Sequence, residues 1–230
     1  MIPFRTRYGP YQRGFNAARR RATAVATVFL AGWLALAGAP ALADTPVVVA
    51  FGDSLSAGYG VTAPDAFPAQ LARALAERGR EVRMINAGVA GDTSAGGRAR
   101  LDWMLGDDPD MVIVELGAND GLRGLDPART YENIDAILAR LDAAGVAVLL
   151  TGMMAPPNLG REYGEAFNAV FPRLAEKHDV VFYPFFLDGV AAAPRLNQAD
   201  GIHPNAAGVA AIVERILPYA IEALDRSRQP

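Results

Sequence analysis

Five short apolar runs, each followed by a segment with helical periodicity, constrain the fold of this chain most strongly. The runs are rich in Val, Ile and Leu without regular polar alternation, and they cover residues 46–51, 82–86, 110–116, 146–153 and 179–185. Strands that are buried on both faces of a parallel sheet have this composition. We therefore predict an α/β fold, a three-layer α/β/α sandwich with a five-stranded parallel sheet of the flavodoxin-like kind.

Amphipathic patterns between the runs predict the helices that cover this sheet. The predicted helices span residues 67–79, 93–105, 130–144 and 164–178, and a last helix starts near Pro204 and runs towards Asp225. Leu71 and Leu75 share one face of the first helix, and Gly79 provides its stop signal. The chain shows no internal repeat and no low-complexity linker. One domain is therefore expected.

The first 43 residues read as a targeting segment rather than as part of this domain. They contain six arginines and no acidic residue, then the apolar run "AVATVFLAGWLALAG", then "APALA" before Asp44. This order is typical of a secretory signal peptide. We predict cleavage after Ala43, a mature domain of residues 44–230, and a periplasmic or secreted location. An uncleaved membrane anchor is the alternative, although the run is shorter than the roughly 20 residues that a spanning helix needs.

Charge and cysteine content narrow the classes of partner. Six of the 22 basic residues precede Asp44 and all 25 acidic residues follow Ala43, so the mature domain carries a net charge of −9. Such a domain does not attract nucleic acid or anionic membranes by its long-range field. The chain has no cysteine, which excludes disulfides and a thiol nucleophile, and its two separated histidines cannot build a typical zinc site. We expect a monomer without metal or cofactor, and without stable membrane insertion after cleavage.

A serine nucleophile is the main candidate chemistry at the strand ends. Ser54 directly follows the first strand, at the carboxyl edge where ligands of parallel sheets bind. A serine hydroxyl needs an adjacent base. His178 ends a charged helix and is interpreted as a solvated residue, whereas His203 lies in "DGIHPN" with Asp200 three residues before it. That spacing suits a carboxylate that orients an imidazole, and it equally suits an ordinary turn before a helix.

Oxyanion donors are available from three neighbouring loops. Ser54 and Gly88 offer backbone N–H groups, and Asn119 offers a side-chain amide. Each glycine-rich loop taken alone is also typical of a tight turn. The nucleophile elbow G-x-S-x-G is absent because position 56 is serine, which argues against the α/β-hydrolase fold.

Four segments together resemble the signature blocks of the SGNH hydrolases, also called the GDSL lipase/esterase family. They are "FGDSLSAGYG", "NAGVAGDTSAGG", "LGANDGLRG" and "DGIHPN", in the family's order, and the likeness covers nearly all of the mature chain. It is strongest with the bacterial periplasmic acyl-CoA thioesterase/lysophospholipase/arylesterase branch. The resemblance implies that Ser54 is the nucleophile, His203 the base and Asp200 its orienting partner. It also implies that Ser54, Gly88 and Asn119 form the oxyanion hole.

The same resemblance implies short to medium acyl esters, aryl esters, thioesters or lysophospholipids as small-molecule substrates. Apolar residues of two loops beside the expected site are candidates for an acyl groove, namely Leu122, Met153, Met154, Pro156 and Leu159. Met153 equally suits the end of a buried strand. A carbohydrate acetylesterase and a non-catalytic lipid- or carbohydrate-binding module are the alternatives. A phosphatase or nucleotide-binding protein is disfavoured because no phosphate-binding glycine motif occurs.

Overall fold

One parallel sheet of five strands forms the centre of the molecule. The computed structural model describes residues 45–227, so the predicted signal peptide lies outside the described residues. The strands are β1 (Val47–Gly52), β2 (Arg83–Asn86), β3 (Met111–Glu115), β4 (Ala147–Thr151) and β5 (Val181–Tyr183). They lie in the order β2-β1-β3-β4-β5, and all four neighbouring pairs are parallel. The predicted five-stranded parallel sheet is confirmed.

The strand register shows where a ligand site is expected. Val49 of β1 pairs with Ile85 on one side and with Val112 on the other. The strand order reverses at β1, because the chain moves outward to β2 and then crosses back to β3. In open parallel sheets the crevice for ligands lies at such a reversal, beyond the carboxyl ends of the strands. The loop after β1 carries Ser54.

Helices cover both faces of the sheet. The described helices are α1 (Ser54–Ala57), α2 (Phe67–Glu77), α3 (Ser94–Leu105), α4 (Ala118–Leu122), α5 (Pro127–Asp142), α6 (Arg161–Asn168), α7 (Val170–His178) and α8 (Ala206–Ser227). Helix α2 packs beside α8, and α5 packs between α3 and α7. Among residues 45–227, no helix is both long enough and apolar enough to cross a membrane.

Helix α5 shows how the sequence specifies this packing. Asp126 caps its first turn by accepting the Ala128 N–H at 2.9 Å, and Pro127 occupies the first helical position, where no N–H donor is needed. Its buried residues recur at helical spacing as Ile134, Ile137, Leu138 and Leu141. This stripe belongs to the buried core, and the helix contacts β4 of the sheet.

The structure differs from the sequence-based expectation at one long helix and at two short ones. The single helix predicted over residues 164–178 is interrupted at Ala169, between α6 and α7. Pro172 lies in the first turn of α7 and has no N–H to donate to the Asn168 carbonyl, which favours a break there. Helices α1 and α4 were expected only as loops, and each carries a candidate site residue.

Candidate active site

Ser54 is held at the first position of a four-residue helix that starts directly after β1. Asp53 caps this helix, because its Oδ1 accepts the Leu55 N–H at 3.0 Å. Ser54 is partly exposed, while its neighbours Asp53 and Leu55 are buried. The short helix therefore presents the hydroxyl at the carboxyl edge of the sheet.

A buried carboxyl from β3 supports this turn from below. Glu115 Oε2 accepts the Asp53 N–H at 3.2 Å, the Ser56 N–H at 3.1 Å and the Ser56 hydroxyl at 2.8 Å. Gly52 provides the room, because a Cβ at that position would overlap Glu115 Oε2. The residues on both sides of Ser54 are thus fixed by a neighbouring strand.

The Ser54 hydroxyl, the His203 imidazole and the Asp200 carboxyl form one line of contact. Ser54 Oγ lies 3.0 Å from His203 Nε2, and His203 Nδ1 lies 2.6 Å from Asp200 Oδ2. Asp200 Oδ1 also accepts the N–H groups of Ile202 and His203 at 2.9 and 3.0 Å. The hydrogen bond from the His203 ring, with these two backbone bonds, lowers the pKa of Asp200 to about 2. Nδ1 can therefore donate to an ionised Asp200, which leaves Nε2 free to accept the Ser54 proton.

Tyr59 is a neighbour of His203 that the sequence analysis did not identify. The two ring centroids lie 4.6 Å apart. Gln198 joins the loops of both residues, because its Nε2 donates to the Tyr59 carbonyl at 2.7 Å and its N–H donates to the His203 carbonyl at 2.8 Å. Tyr59 stands between two glycines of positive φ, Gly58 and Gly60, and this pattern marks a constrained turn that could have drawn attention to it.

The three predicted oxyanion donors differ in whether their N–H groups already have a hydrogen-bond acceptor. The Ser54 N–H has no acceptor among the described residues. Asn119 Nδ2 donates to Asp53 Oδ2 and to the Asp92 carbonyl, both at 2.9 Å. These contacts place the Asn119 amide beside the nucleophile turn, as predicted from the order of the loops.

Gly88 does not offer a free donor. Its N–H donates to Asn86 Oδ1 at 2.9 Å, and a Cβ at Gly88 would overlap the backbone of Ala57. The glycine therefore allows two loops to approach each other. Gly91 of the same loop has φ +81°, and its N–H has no acceptor among residues 45–227. Of these two glycines, Gly91 has the N–H without an acceptor, whereas the N–H of the predicted Gly88 is bonded.

Two buried carboxyl groups lie beneath the site. Asp53 is 1% exposed and Glu115 is fully buried. Burial raises the pKa of Asp53 to about 6 and raises the pKa of Glu115 well above its usual value, where the Asp53 charge adds to the effect. Glu115 Oε1 has no hydrogen-bond partner among the described residues. Charge on this pair is therefore unfavourable, and the pair binds protons more tightly than exposed carboxyl groups do.

An apolar cavity of about 500 Å³ opens beside Ser54 and His203. Leu122, Met153, Met154 and Pro156 line it, as predicted, and Met153 also belongs to the buried core. Leu159 does not line it; its side chain lies near Gly124 instead, within van der Waals distance of where a Cβ would stand. Residues after β5 and around His203 complete the wall, including Phe185, Leu187, Ala191, Ala192 and Ile202.

The second histidine takes no part in this site. His178 ends α7, and its Nε2 lies 2.7 Å from Asp135 Oδ1, with Lys177 bonded to the same carboxyl group. Its side chain is only 12% exposed, so it is a largely buried residue paired with Asp135 and not the solvated histidine predicted from the sequence.

Comparisons with known proteins place this arrangement in a family. Residues 50–211 match the model of the "GDSL-like Lipase/Acylhydrolase family". Esterase TesA of Pseudomonas aeruginosa is 40% identical over 192 residues, which cover 83% of this chain and 96% of that protein. Thioesterase 1/protease 1/lysophospholipase L1 of Escherichia coli K12 is 45% identical over 166 residues, which cover 72% of this chain and 77% of that protein.

A solved structure agrees in both fold and sequence. The crystal structure of AlinE4, an SGNH-hydrolase family esterase, superposes with a TM-score of 0.67 at 46% sequence identity. The match covers 79% of this chain and 97% of AlinE4. The resemblance that the four sequence blocks carry is thereby confirmed at the level of the family and the fold.

Proposed function

The chain belongs to the GDSL-like lipase/acylhydrolase family, and from this premise we propose a serine esterase in which Ser54, His203 and Asp200 form the triad. The single observation that carries the assignment is the line of contact from Ser54 Oγ to His203 Nε2 at 3.0 Å and from His203 Nδ1 to Asp200 at 2.6 Å. Hydroxyl, imidazole and carboxylate in this order are the elements of nucleophilic acyl transfer.

The first half-reaction transfers the acyl group to the enzyme. As Ser54 Oγ attacks the carbonyl carbon of an ester or thioester, His203 Nε2 takes the hydroxyl proton and the carbonyl oxygen becomes an oxyanion. The tetrahedral intermediate collapses, His203 returns the proton to the alcohol or thiol leaving group, and Ser54 keeps the acyl group. Asp200 stabilises the imidazolium that exists between these steps.

The second half-reaction releases the acid. A water molecule takes the place of the leaving group, His203 removes its proton, and the hydroxide oxygen attacks the acyl carbon. Collapse of this intermediate returns the proton from His203 to Ser54 Oγ and frees the carboxylic acid. The enzyme is regenerated without any co-reactant besides water.

The oxyanion is stabilised by donors from the loops after β1, β2 and β3. The Ser54 N–H supplies one donor, and Asn119 Nδ2 supplies another by sharing a hydrogen that Asp53 or Asp92 accepts in the free enzyme. From the loop after β2 we assign Gly91, because its N–H has no acceptor among residues 45–227, whereas Gly88 donates to Asn86 and lies against the backbone of Ala57.

The cavity supports short to medium acyl chains and aryl groups as substrates. Its apolar lining suits hydrocarbon, and its volume of about 500 Å³ falls within the range of small-molecule sites. Leu122, Met153, Met154 and Pro156 contact the acyl or aryl group in this proposal. The names of the relatives extend the substrates to thioesters and lysophospholipids. A sugar would find few polar partners on these walls, so the carbohydrate acetylesterase is disfavoured.

Export and a monomeric state complete the proposal. The basic and apolar character of residues 1–43 supports a signal peptide, so the working enzyme is residues 44–230 in the periplasm or the medium. Its net charge of −9 after cleavage, from 25 acidic residues and the 16 remaining basic ones, favours neutral or zwitterionic substrates over anionic lipid surfaces.

Hydrolysis of a p-nitrophenyl ester series by residues 44–230 tests this function. We expect turnover to peak at short to medium acyl chains because the cavity is apolar and bounded. Ser54→Ala should abolish turnover in a folded protein, while the matched control Ser227→Ala, at the far end of α8, should keep it. Folded wild-type protein that binds but never hydrolyses these esters would support the binding module, and a strict preference for acetylated sugars would support the acetylesterase.

A further inference from the structure

Arg100 of α3 reaches under the loops that carry the proposed oxyanion donors. Its side chain is 18% exposed, and its guanidinium carbon lies 4.2 Å from the centre of the Phe51 ring. Phe51 is fully buried on β1. The cation is therefore held against β1, close to the carboxyl end of that strand.

The guanidinium uses three nitrogens to bind three fixed acceptors. Its Nε pairs with Asp92 Oδ2 at 2.7 Å, its Nη1 donates to the Ala87 carbonyl at 2.8 Å, and its Nη2 donates to the Gly52 carbonyl at 2.8 Å. Gly52 lies two residues before Ser54, and Ala87 and Asp92 are on either side of Gly91. Only a planar fork with several donors can satisfy acceptors in this arrangement, so lysine is a poor substitute.

Asp92 extends this connection to the third donor. Its side chain is bonded to Arg100, and its backbone carbonyl accepts Asn119 Nδ2 at 2.9 Å. Gly96 gives Asp92 the space it occupies, because a Cβ at Gly96 would overlap the Asp92 carboxyl. The position of the Asn119 amide therefore depends on a residue that Arg100 holds from the other side.

We propose that Arg100 is a positioning residue that sets the spacing of the three oxyanion donors, namely the Ser54 N–H, the Gly91 N–H and the Asn119 amide. Arg100 does not line the cavity, so it acts through the backbone of its neighbours and not on the substrate. The inference rests on the proposed function, since it assumes that an oxyanion forms at Ser54. It predicts that a variant at Arg100 loses stabilisation of the transition state and keeps its affinity for the substrate.

Arg100→Lys, compared with Arg98→Lys on the same helix, tests this role. Arg98 is exposed and makes only a 3.4 Å contact with Asn133, so its variant controls for the change of side chain. We expect Arg100→Lys to lower kcat by about 10- to 100-fold with KM within about twofold, since displaced groups cost less than deleted donors. The Ki of a trifluoromethyl ketone, which forms an oxyanion with the serine, should rise by a similar factor. The Ki of an uncharged alkyl alcohol, which fills the apolar cavity without forming an oxyanion, should stay unchanged.

A purely structural role would give a different result. If Arg100→Lys lowers only the melting temperature, and kcat and the ketone Ki measured well below that temperature stay at wild-type values, the inference is overturned.

If the Arg100→Lys variant does not fold, Asp92→Asn provides a second test. It keeps Arg100 and the Asp92 carbonyl but removes the ion pair, and it should shift kcat and the ketone Ki in the same direction by less. Wild-type values for Asp92→Asn would then overturn the inference. Activity in Ser54→Ala would overturn the proposed function instead.

Discussion

At the scale of single residues, the candidate site combines side chains from two distant loops with backbone N–H groups that have no acceptor among residues 45–227. Ser54, His203 and Asp200 could be chosen because few residue types perform this chemistry and the chain has only two histidines. Gly88 and Gly91 are the same residue type and lie three positions apart. Only the conformation and hydrogen bonding of the backbone therefore show which N–H group lacks an acceptor. Tyr59 was missed because its contact with His203 depends on how two distant loops meet.

Asn119→Ala tests the side-chain donor of the oxyanion hole. The variant removes one donor and leaves the apolar residues of the cavity wall in place, so kcat should fall by roughly 100- to 1,000-fold while KM changes little. Steady-state kinetics on a p-nitrophenyl ester measures this, with circular dichroism to show that the variant is folded. Asn133→Ala, which removes a 3.1 Å contact to Ser94 Oγ away from the cavity, is the control. Unchanged turnover in Asn119→Ala would refute the assigned role.

At the scale of elements, regular periodicity in the sequence predicts the long helices and the strands, whereas the two short helices α1 and α4 depend on tertiary contacts. The strands begin and end within two residues of the apolar runs. Helices α1 and α4 have four and five residues, too few to show a periodic pattern, and both are fixed by their neighbours. Helix α1 depends on Glu115 of β3, a contact between residues 59 positions apart that no local pattern predicts.

The junction of α1 with β1 and β3 gives a prediction about pH and stability. The pKa of Asp53 is about 6 in the folded chain against 3.8 as the ordinary value, so the folded state holds more protons between these values. The free energy of unfolding should therefore fall as pH rises through this window. Asp53→Asn lacks this carboxyl, so its stability relative to the wild type should increase from pH 3.8 to above pH 6, by up to about 3 kcal/mol.

Urea unfolding of both proteins across this pH range measures the effect. Any constant cost of the altered hydrogen bonds to Leu55 and Asn119 cancels, because only the change in the difference with pH is used. A difference that stays flat from pH 4 to pH 7 would show that Asp53 does not hold a proton more tightly in the folded state.

At the scale of the whole molecule, the cavity is the feature that the sequence could only partly predict. Four of the five residues proposed for it line it, but Leu159 does not, and the stretch around Phe185 and Leu187 was not anticipated. Loops after several strands contribute to its walls, and the direction of each side chain depends on packing between those loops. The fold class needed no such information, since it follows from buried strands alternating with amphipathic helices.

The assignment of Ser54 as the nucleophile is tested most directly with a fluorophosphonate probe, which reacts covalently with an activated serine, followed by peptide mapping of the adduct. Residues 44–230 treated with the probe should carry one phosphonyl group, and tandem mass spectrometry should place it on the oxygen of Ser54. His203→Ala should fold and react far more slowly, because the hydroxyl then lacks its base. Labelling at another residue, or a folded wild-type protein that takes up no probe, would contradict the assignment of Ser54 as the nucleophile.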